Sequence, residues 1–511
     1  MPLVELLSTA FERLSAYPLL TSSAVALGYV LTVKAVVDKS RKRKRNPKNL
    51  PPPPGPKGYP IIGNLFDVPH PADSPHIVYD QWTKKYGDMI YMEVLGQPIL
   101  ILGSLERAND LLDKRSSNYS DRVRMPMVVE LMNWGYSMAF IPYGQWWRRH
   151  RKAFNEHFHR NMVHMYNPIQ IREVRGFLRR LQQSPENFMH HVRHTFAAII
   201  MGITYGITVE DTSDPYISNA EEALQGLVET AIPGSYLVDL IPALLYIPSW
   251  FPGASFKRKA AYWSRLNNDV INKPFEYIEN ELTNDREVVP SVTTSLISRL
   301  PEKDDPLYSE ERQIAKHATS VAYIAGADTT VSTVQTLFLA MAMYPEALKK
   351  AHAELDAVVG PYRLPDYGDC DSLPYINAIV KESMRWNQVL PLAIAHMTTH
   401  DDEYDGYFIP RGTVVMPNGW SILHDPEVFP DPMEFKPERY LKDGKLDHTV
   451  RSPECAAFGF GRRICPGRHL SDNSLYLIVA STLAVYDIKP AIDEFGNPIK
   501  LEAKFTSGFI S

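Results

Sequence analysis

The sequence predicts a mainly α-helical protein, in which one large helical domain carries small peripheral β-sheets and follows a transmembrane helix. Helical periodicity dominates after residue 102, for example in residues 106–113, 314–343, 345–358 and 373–387. Strand-like runs are short and lie earlier in the chain. Of the 511 residues, 44% are apolar and 22% are charged, so the chain can bury a sizeable core.

Residues 17–33 form a run of seventeen residues without a charged side chain. A helix of that length spans roughly 26 Å, close to the hydrocarbon thickness of a bilayer. A dense basic run at 39–45 follows it, whereas a secretory signal peptide carries its basic residues first. We therefore expect residues 1–38 to be an uncleaved membrane anchor, with the rest of the chain in the cytosol. A buried amphipathic helix is the alternative.

Residues 39–58 are predicted to be a basic and proline-rich linker. Four consecutive prolines at 51–54 favour an extended polyproline conformation. Residues 59–511 contain no internal repeat and no second linker, so we expect them to form one domain. Its first strands are predicted at 89–94 and 98–102, because Leu95-Gly96 between these runs favours a hairpin turn.

The chain has three cysteines, Cys370, Cys455 and Cys465. This odd and sparse count argues against a disulfide framework and is typical of a reducing compartment. The net charge of −5 gives no indication of a nucleic-acid partner. We interpret Cys370 and Cys455 as structural residues, whereas the neighbours of Cys465 predict chemistry.

Cys465 lies in the segment 458–467, which reads FGFGRRICPG. Pro466 and Gly467 precede a predicted helix at 468–485, so the cysteine stands at a helix N-terminus. Free backbone N–H groups at that position can donate to the sulfur and lower the pKa of the thiol. Arg463 is placed to pair with the anionic edge of a cofactor. A metal-binding thiolate is therefore the prediction, and a buried structural cysteine is the alternative.

The segment resembles, position for position, the Phe-x-x-Gly-x-Arg-x-Cys-x-Gly signature of the cytochrome P-450 family. The resemblance covers about residues 51–511 and implies that family's fold, with 59–511 as a haem-thiolate catalytic domain. It implies haem b as the cofactor, Cys465 as the axial ligand of the iron, and Phe458 and Arg463 in the cofactor site. Because a thiolate ligand favours O–O cleavage, it also implies a monooxygenase that uses O₂.

The predicted helix at 314–343 contains the sequence AGADTT at residues 325–330. Gly326 and the hydroxyl groups can loosen the helical hydrogen bonds and admit water. The family resemblance implies that Asp328 and Thr329 are catalytic and deliver protons to oxygen. The alternative is an ordinary helix with a satisfied Asp328 and Thr side chains bonded to the preceding turn.

Trp147 and Arg151 are four residues apart and share one face of a predicted helix. The resemblance implies that they bind the haem carboxylates, and that His396 adds a donor. The family usually has Pro-His-Arg where this chain has Ala395-His396-Met397, so the usual arginine is missing there. A basic surface helix that docks an acidic partner is the alternative for Trp147 and Arg151.

A further pair, Glu382 and Arg385, is three residues apart and can form an ion pair on one helix face. Most such pairs are solvated surface pairs that contribute little to stability. The resemblance implies a buried pair completed by Arg439, and we expect these three residues to hold the fold rather than to catalyse.

The chain has no flavin domain and no Gly-x-Gly-x-x-Gly fingerprint, so electrons must come from a partner. The resemblance implies a membrane-bound NADPH–cytochrome reductase, for which the basic helix at 148–152 is a plausible docking face. Substrate contacts are expected, by position in the family, from five mainly apolar segments at 124–131, 224–240, 321–330, 389–395 and 505–508.

Residues 250–253 and 385–388, WFPG and RWNQ, resemble mushroom-type fungal members that act in secondary metabolism. The predicted protein is therefore a single-pass monooxygenase of the endoplasmic reticulum membrane that oxidises a small apolar metabolite, most simply a terpenoid. An indole alkaloid or aromatic polyketide is the alternative substrate. A reductase-independent haem-thiolate isomerase or dehydratase, and a non-enzymatic haem sensor, are the alternative classes.

Overall fold

The computed structural model describes residues 44–210, 214–232 and 234–505. The predicted anchor at 1–38 lies outside the described residues. Within these ranges, no helix has both the length and the apolar character that crossing a membrane requires.

Helices make up most of the described chain, as the sequence predicts. The helices of eight or more residues are α1 Pro75–Tyr86, α2 Gln145–Phe158, α3 Asn167–Gln183, α4 Phe188–Tyr205, α5 Pro215–Thr230, α6 Ser255–Thr283, α7 Tyr308–Met343, α8 Pro345–Val358, α9 Pro374–Trp386 and α10 Arg468–Leu483. Short helical segments lie at Pro71–Asp73, Leu105–Ala108, Asn109–Lys114, Ser116–Tyr119, Met127–Leu131, Val163–Tyr166, Pro185–Asn187, Leu237–Leu240, Pro242–Tyr246, Val292–Ile297, Tyr367–Ser372, Gly419–Leu423, Pro437–Tyr440, Glu454–Ala457 and Gly461–Arg463.

The central element is α7, a helix of 36 residues that packs against α2, α4, α6 and α9. Most of its side chains from Ile314 to Met341 are buried, which is expected of a helix with apolar residues on all sides. It begins six residues earlier than predicted. Its first turn contains Glu310 and Glu311, whose negative charge is favourable at a helix N-terminus.

One sheet of five strands lies in the order β1-β2-β7-β4-β3. The strands of this sheet and of two hairpins are β1 Met89–Val94, β2 Gln97–Leu102, β3 Asp121–Arg122, β4 His396–Met397, β5 Asp402–Tyr404, β6 Tyr407–Ile409, β7 Val414–Pro417, β8 Leu441–Lys442 and β9 Lys445–Leu446. The predicted β1–β2 hairpin is confirmed, and both Leu95 and Gly96 in its turn have positive φ. Antiparallel pairing of β3 with β4 places Arg122 opposite His396.

The segment predicted as a helix at 106–113 is helical but not regular. It begins as an α-helix at Leu105–Ala108 and continues as a π-helix at Asn109–Lys114. The wider turn is visible in the hydrogen bond from Arg115 N–H to the Asp110 carbonyl, five residues back. A π-helical turn of this kind is frequently found near functional sites.

The described residues fall into a larger unit, 54–399 with 412–505, and a smaller one, 44–53 with 400–411. In the smaller unit, part of the predicted linker runs beside the β5–β6 hairpin. Phe408 N–H donates to the Pro51 carbonyl at 2.9 Å, and Lys48 Nζ lies 2.6 Å from Glu403 Oε2. The larger unit contains every site residue discussed below.

Candidate functional site

Cys465 lies in the loop between the short helix Gly461–Arg463 and α10. Its N–H donates to the Phe458 carbonyl at 2.8 Å, which fixes the loop. Burial raises the pKa of the Cys465 thiol, while the Gly467 N–H and the nearby Arg151 and Arg468 oppose that rise. Burial and the charge of Asp472 keep the pKa above its usual value, but one backbone donor and two guanidinium groups act toward the thiolate form.

The other two cysteines lack such an environment. Burial raises the pKa of the Cys455 thiol to about 11, and the charge of Arg451 opposes that rise. The Cys370 thiol donates to Asn377 Oδ1 at 3.6 Å, and its pKa is also raised by burial. Both are free thiols in surroundings that favour the protonated form.

At Gly461 the backbone of the cysteine loop packs directly against the backbone of the π-helical segment. Its φ is +53°, and a Cβ atom at this position would lie 2.0 Å from the Leu112 carbonyl oxygen. Because two backbones meet here, no side-chain movement can relieve the overlap.

We expect Gly461→Ala to lower the melting temperature and the fraction of haem-loaded protein. Strain at the positive φ alone costs about 1–3 kcal/mol, to which the overlap with Leu112 adds. Thermal unfolding and haem content per protein measure the two effects. Gly144→Ala is the matched control, because its Cβ would meet nothing within 4 Å and its φ is extended. Equal losses in both variants would contradict the packing argument.

Arg463 is buried and holds three segments together. Its guanidinium donates to the carbonyls of Ser120 at 2.8 Å, Met138 at 3.1 Å and Ile141 at 2.8 Å. It lies 4.6 Å from the centroid of the Trp147 ring. Burial lowers its pKa to about 10. Three of its five N–H donors are used, so two are left for a further partner.

Trp147 and Arg151 share a face of α2, as predicted, with the guanidinium 5.8 Å from the indole centroid. The single indole N–H donates to the Met138 carbonyl at 3.1 Å. Trp147 can therefore donate to a cofactor carboxylate only if its indole N–H releases the Met138 carbonyl. Burial lowers the pKa of Arg151, and the charge of Cys465 raises it, so these two side chains are close neighbours.

His396 is buried beside a second arginine that the sequence did not single out. Its Nδ1 donates to the Tyr119 carbonyl at 2.7 Å, since a carbonyl only accepts, and this leaves Nε2 as an acceptor in the neutral ring. The pKa of His396 is lowered, by burial first and then by the charges of Arg122 and Arg463.

Arg122 donates to the carbonyls of Ile394 at 2.6 Å and Ala395 at 3.1 Å, and its Nε is buried without a hydrogen-bond partner. Its pKa is lowered by burial and by Arg463. In the sequence, Asp121-Arg122 looks like a solvated ion pair. Only the pairing of β3 with β4 reveals that Arg122 belongs to the site.

These buried groups fit an anionic cofactor edge. Arg122 and Arg463 are both buried, and the charge of Arg463 lowers the pKa of Arg122. Asp121 opposes the lowering of the pKa of both arginines only in part. Asp121 Oδ1 already accepts from the N–H groups of Arg122 and Tyr143. The unpartnered Nε of Arg122 and the spare donors of Arg463 could each donate to a carboxylate. Haem, the expected cofactor, has two carboxylates on one edge.

Asp328 and Thr329 lie midway along α7. Ala325 is exposed there, although Ala322, Tyr323 and Ile324 before it are buried, so this turn faces open space. The predicted loosening of the helix is not observed, since the turn is regular α-helix and Thr329 Oγ1 donates to the Ala325 carbonyl at 2.8 Å. Burial raises the pKa of Asp328, and the charge of Arg193 opposes that rise. A carboxyl with a raised pKa is a better proton donor near neutrality.

The family model described as Cytochrome P-450 matches residues 53–506. The chain therefore belongs to the cytochrome P-450 family. Cytochrome P-450 monooxygenase COX2 of Coprinopsis cinerea is 49% identical over 481 residues, which are 94% of this chain and 89% of that protein. Cytochrome P-450 monooxygenase COX1 of the same fungus is 46% identical and covers 96% and 95%. Tryptamine 4-monooxygenase of Psilocybe cyanescens is 43% identical and covers 89% and 90%.

Family membership confirms two predictions from the sequence. The protein is a cytochrome P-450 monooxygenase of the fungal type, and haem iron with a cysteine thiolate ligand is the cofactor of the family. The mainly helical fold with small sheets is that of the family as well.

The Glu382–Arg385 pair of this cytochrome P-450 is fully buried, as expected. Arg385 donates from Nε and Nη2 to the two carboxylate oxygens at 2.7 and 2.9 Å. Arg439 Nε and Lys436 N–H add donors at 3.1 and 2.8 Å. Arg385 also donates to the carbonyls of Leu423, Pro432 and Glu434, so the cluster ties α9 to the chain that follows.

A cavity of about 630 Å³ approaches Arg122 from the side of the sheet. It is lined by parts of three predicted substrate segments, 124–131, 224–240 and 389–395. Residues 321–330 do not line this cavity. Of the predicted segment 505–508, only Phe505 is among the described residues. It lines a different cavity and packs against Trp386, with 5.6 Å between the ring centroids.

Proposed function

We propose that this cytochrome P-450 binds haem through Cys465 and oxidises a small, mainly apolar secondary metabolite. The observation that carries the assignment is the pair of buried arginines, Arg122 and Arg463, whose charge Asp121 offsets only in part and whose spare donors lie near the loop of Cys465. Haem bound there would supply the activation of O₂. Arg122, Arg463 and Arg151 would hold its carboxylates, with Phe458 in the loop that presents the sulfur.

Asp328 and Thr329 are the proposed proton donors. Burial keeps the Asp328 carboxyl protonated to higher pH than usual, and the Thr329 hydroxyl lies one residue further along the open turn. Asp328 would bring the proton into the site, and Thr329 Oγ1 would hold it beside the O₂ substrate.

We expect Thr329→Ala to consume NADPH while releasing peroxide, because a positioned proton donor contributes about 10²-fold or more to its step. Product formed per NADPH consumed should fall roughly tenfold or more. Product mass spectrometry and a peroxide assay measure the ratio. Thr319→Ala is the matched control, since Thr319 bonds to the Ala315 carbonyl in the same way two to three turns earlier. Unchanged coupling in Thr329→Ala would refute the assigned role.

Two substrate classes have specific support. The cavity lining is largely apolar, with Val123, Met125, Phe140 and Leu392 among its residues, which suits a terpenoid. The tryptamine 4-monooxygenase of Psilocybe cyanescens, at 43% identity, supports an indole alkaloid instead. Microsomes that contain this protein and a reductase, supplied with terpenoid and indole scaffolds, would separate the classes by product mass. Turnover without NADPH would instead indicate an isomerase or dehydratase.

The proposed electron donor is an NADPH–cytochrome reductase, and the proposed location is the endoplasmic reticulum membrane, through residues 1–38. Arg148 and Lys152 are exposed on α2 and remain suitable for an acidic partner. Arg149 is not, because its guanidinium pairs with Glu310 and Glu311. Release of the full-length protein from microsomes by alkaline carbonate would argue against the anchor.

A further inference from the structure

One carboxylate in the cavity beside Arg122 has an unsatisfied oxygen. Asp239 Oδ1 accepts the Met127 N–H at 2.9 Å, and Oδ2 is buried without a hydrogen-bond partner. An acceptor that loses water on folding and gains no donor destabilises the protein by more than a hydrogen bond normally contributes. Such an atom requires an explanation, and a ligand that donates to it is one.

The two exposed charged residues that line this cavity, Glu229 and Arg124, are already paired. Glu229 Oε1 accepts from Lys259 Nζ at 2.8 Å, and Arg124 Nε donates to Glu130 Oε1 at 2.7 Å. Asp239 has no such cation. Burial raises its pKa to about 6, the Met127 N–H opposes that rise, and the negative charge of Glu130 adds to it. At neutral pH Asp239 is therefore an anion with no cationic side chain paired to it.

We propose that Asp239 Oδ2 binds the protonated amino group of the substrate, so that the substrate is a mainly apolar molecule with one basic nitrogen. This rests on the proposed function and specifies its substrate class. An ammonium group supplies the missing donor and the missing positive charge together, through a charge-assisted hydrogen bond. Apolar neighbours such as Met125, Phe140 and Leu392 would surround the rest of the molecule.

The test compares three probes of similar shape, phenethylamine, phenethyl alcohol and ethylbenzene, on the full-length haem-loaded protein. Equilibrium dialysis gives their dissociation constants, and the haem spectrum identifies any direct binding of the amine nitrogen to iron. We expect the ammonium form to bind about 10- to 100-fold more tightly than the alcohol, the range of a hydrogen bond to a charged group. Equal affinity for amine and alcohol would overturn the proposal in favour of a neutral hydroxyl ligand.

Asp239→Asn removes the charge but keeps an amide oxygen that can accept the Met127 N–H. The preference for the amine should disappear in this variant, while Glu229→Gln, whose carboxylate is already paired, should retain it. A preference that survives in Asp239→Asn would refute the role of Asp239. Should this variant fail to bind haem, the amine–alcohol comparison on the unmodified protein decides alone. The proposed function has its own test: absence of the carbon monoxide band or of NADPH-dependent turnover in the unmodified protein would refute it. Dialysis measures only the binding of the probes, so the two tests can fail separately.

Discussion

Cys465→Ala is expected to lose the carbon monoxide difference band at about 450 nm and all NADPH-dependent product formation. The thiolate gives that band and drives O–O cleavage, and alanine offers no ligand in its place. The loop around it should persist, because its anchoring bonds use the Cys465 N–H, the Gly461 contact and the Arg463 guanidinium rather than the sulfur. Difference spectroscopy of reduced membranes with and without carbon monoxide measures the loss.

The two remaining cysteines are the controls for this experiment. Cys455→Ala and Cys370→Ala should retain the band, because neither thiol has the backbone donor and the two guanidinium groups that oppose burial at Cys465. A band that survives in Cys465→Ala, or disappears in Cys455→Ala alone, would transfer the ligand role to another residue.

The parts of this molecule that depend on local sequence were predictable. The β1–β2 hairpin, the helices α8 and α9 and the helix after Cys465 follow from periodicity, prolines and glycines within each segment. The π-helical turn at Asn109–Lys114 was not predictable, because it accommodates the close approach of Gly461 from far along the chain.

The candidate site shows the same division. Cys465, Arg463 and the Asp328–Thr329 pair stand in local motifs, so the family resemblance pointed to them directly. Arg122 becomes part of the site only through the pairing of β3 with β4, and it lies in a stretch without a recognisable pattern. Asp239 lies in the predicted substrate segment 224–240, but its hydrogen bond to Met127 and its unsatisfied oxygen follow only from the fold.

Glu382 is the residue whose loss should most damage the fold. It is fully buried, and its two oxygens accept four hydrogen bonds from Arg385, Arg439 and the Lys436 N–H. Removing the carboxylate leaves the fully buried guanidinium of Arg385 and the mostly buried one of Arg439 without their counter-charge. An uncompensated buried charge costs far more than the pair itself contributes.

Glu382→Ala should therefore lower the free energy of unfolding by about 3–5 kcal/mol, measured by denaturant titration of the haem-loaded protein. The free energy of unfolding of Glu382→Gln should lie between those of this variant and the unmodified protein. The amide oxygen of Gln still accepts from one arginine, but the charge is gone. Asp80→Asn is the control: it breaks the exposed Lys84–Asp80 pair of 2.8 Å and should cost less than about 1 kcal/mol. If Glu382→Ala lowered the free energy of unfolding as little as Asp80→Asn, the buried cluster would not hold the fold. Arg385 and Arg439 would then need another anion to stay buried.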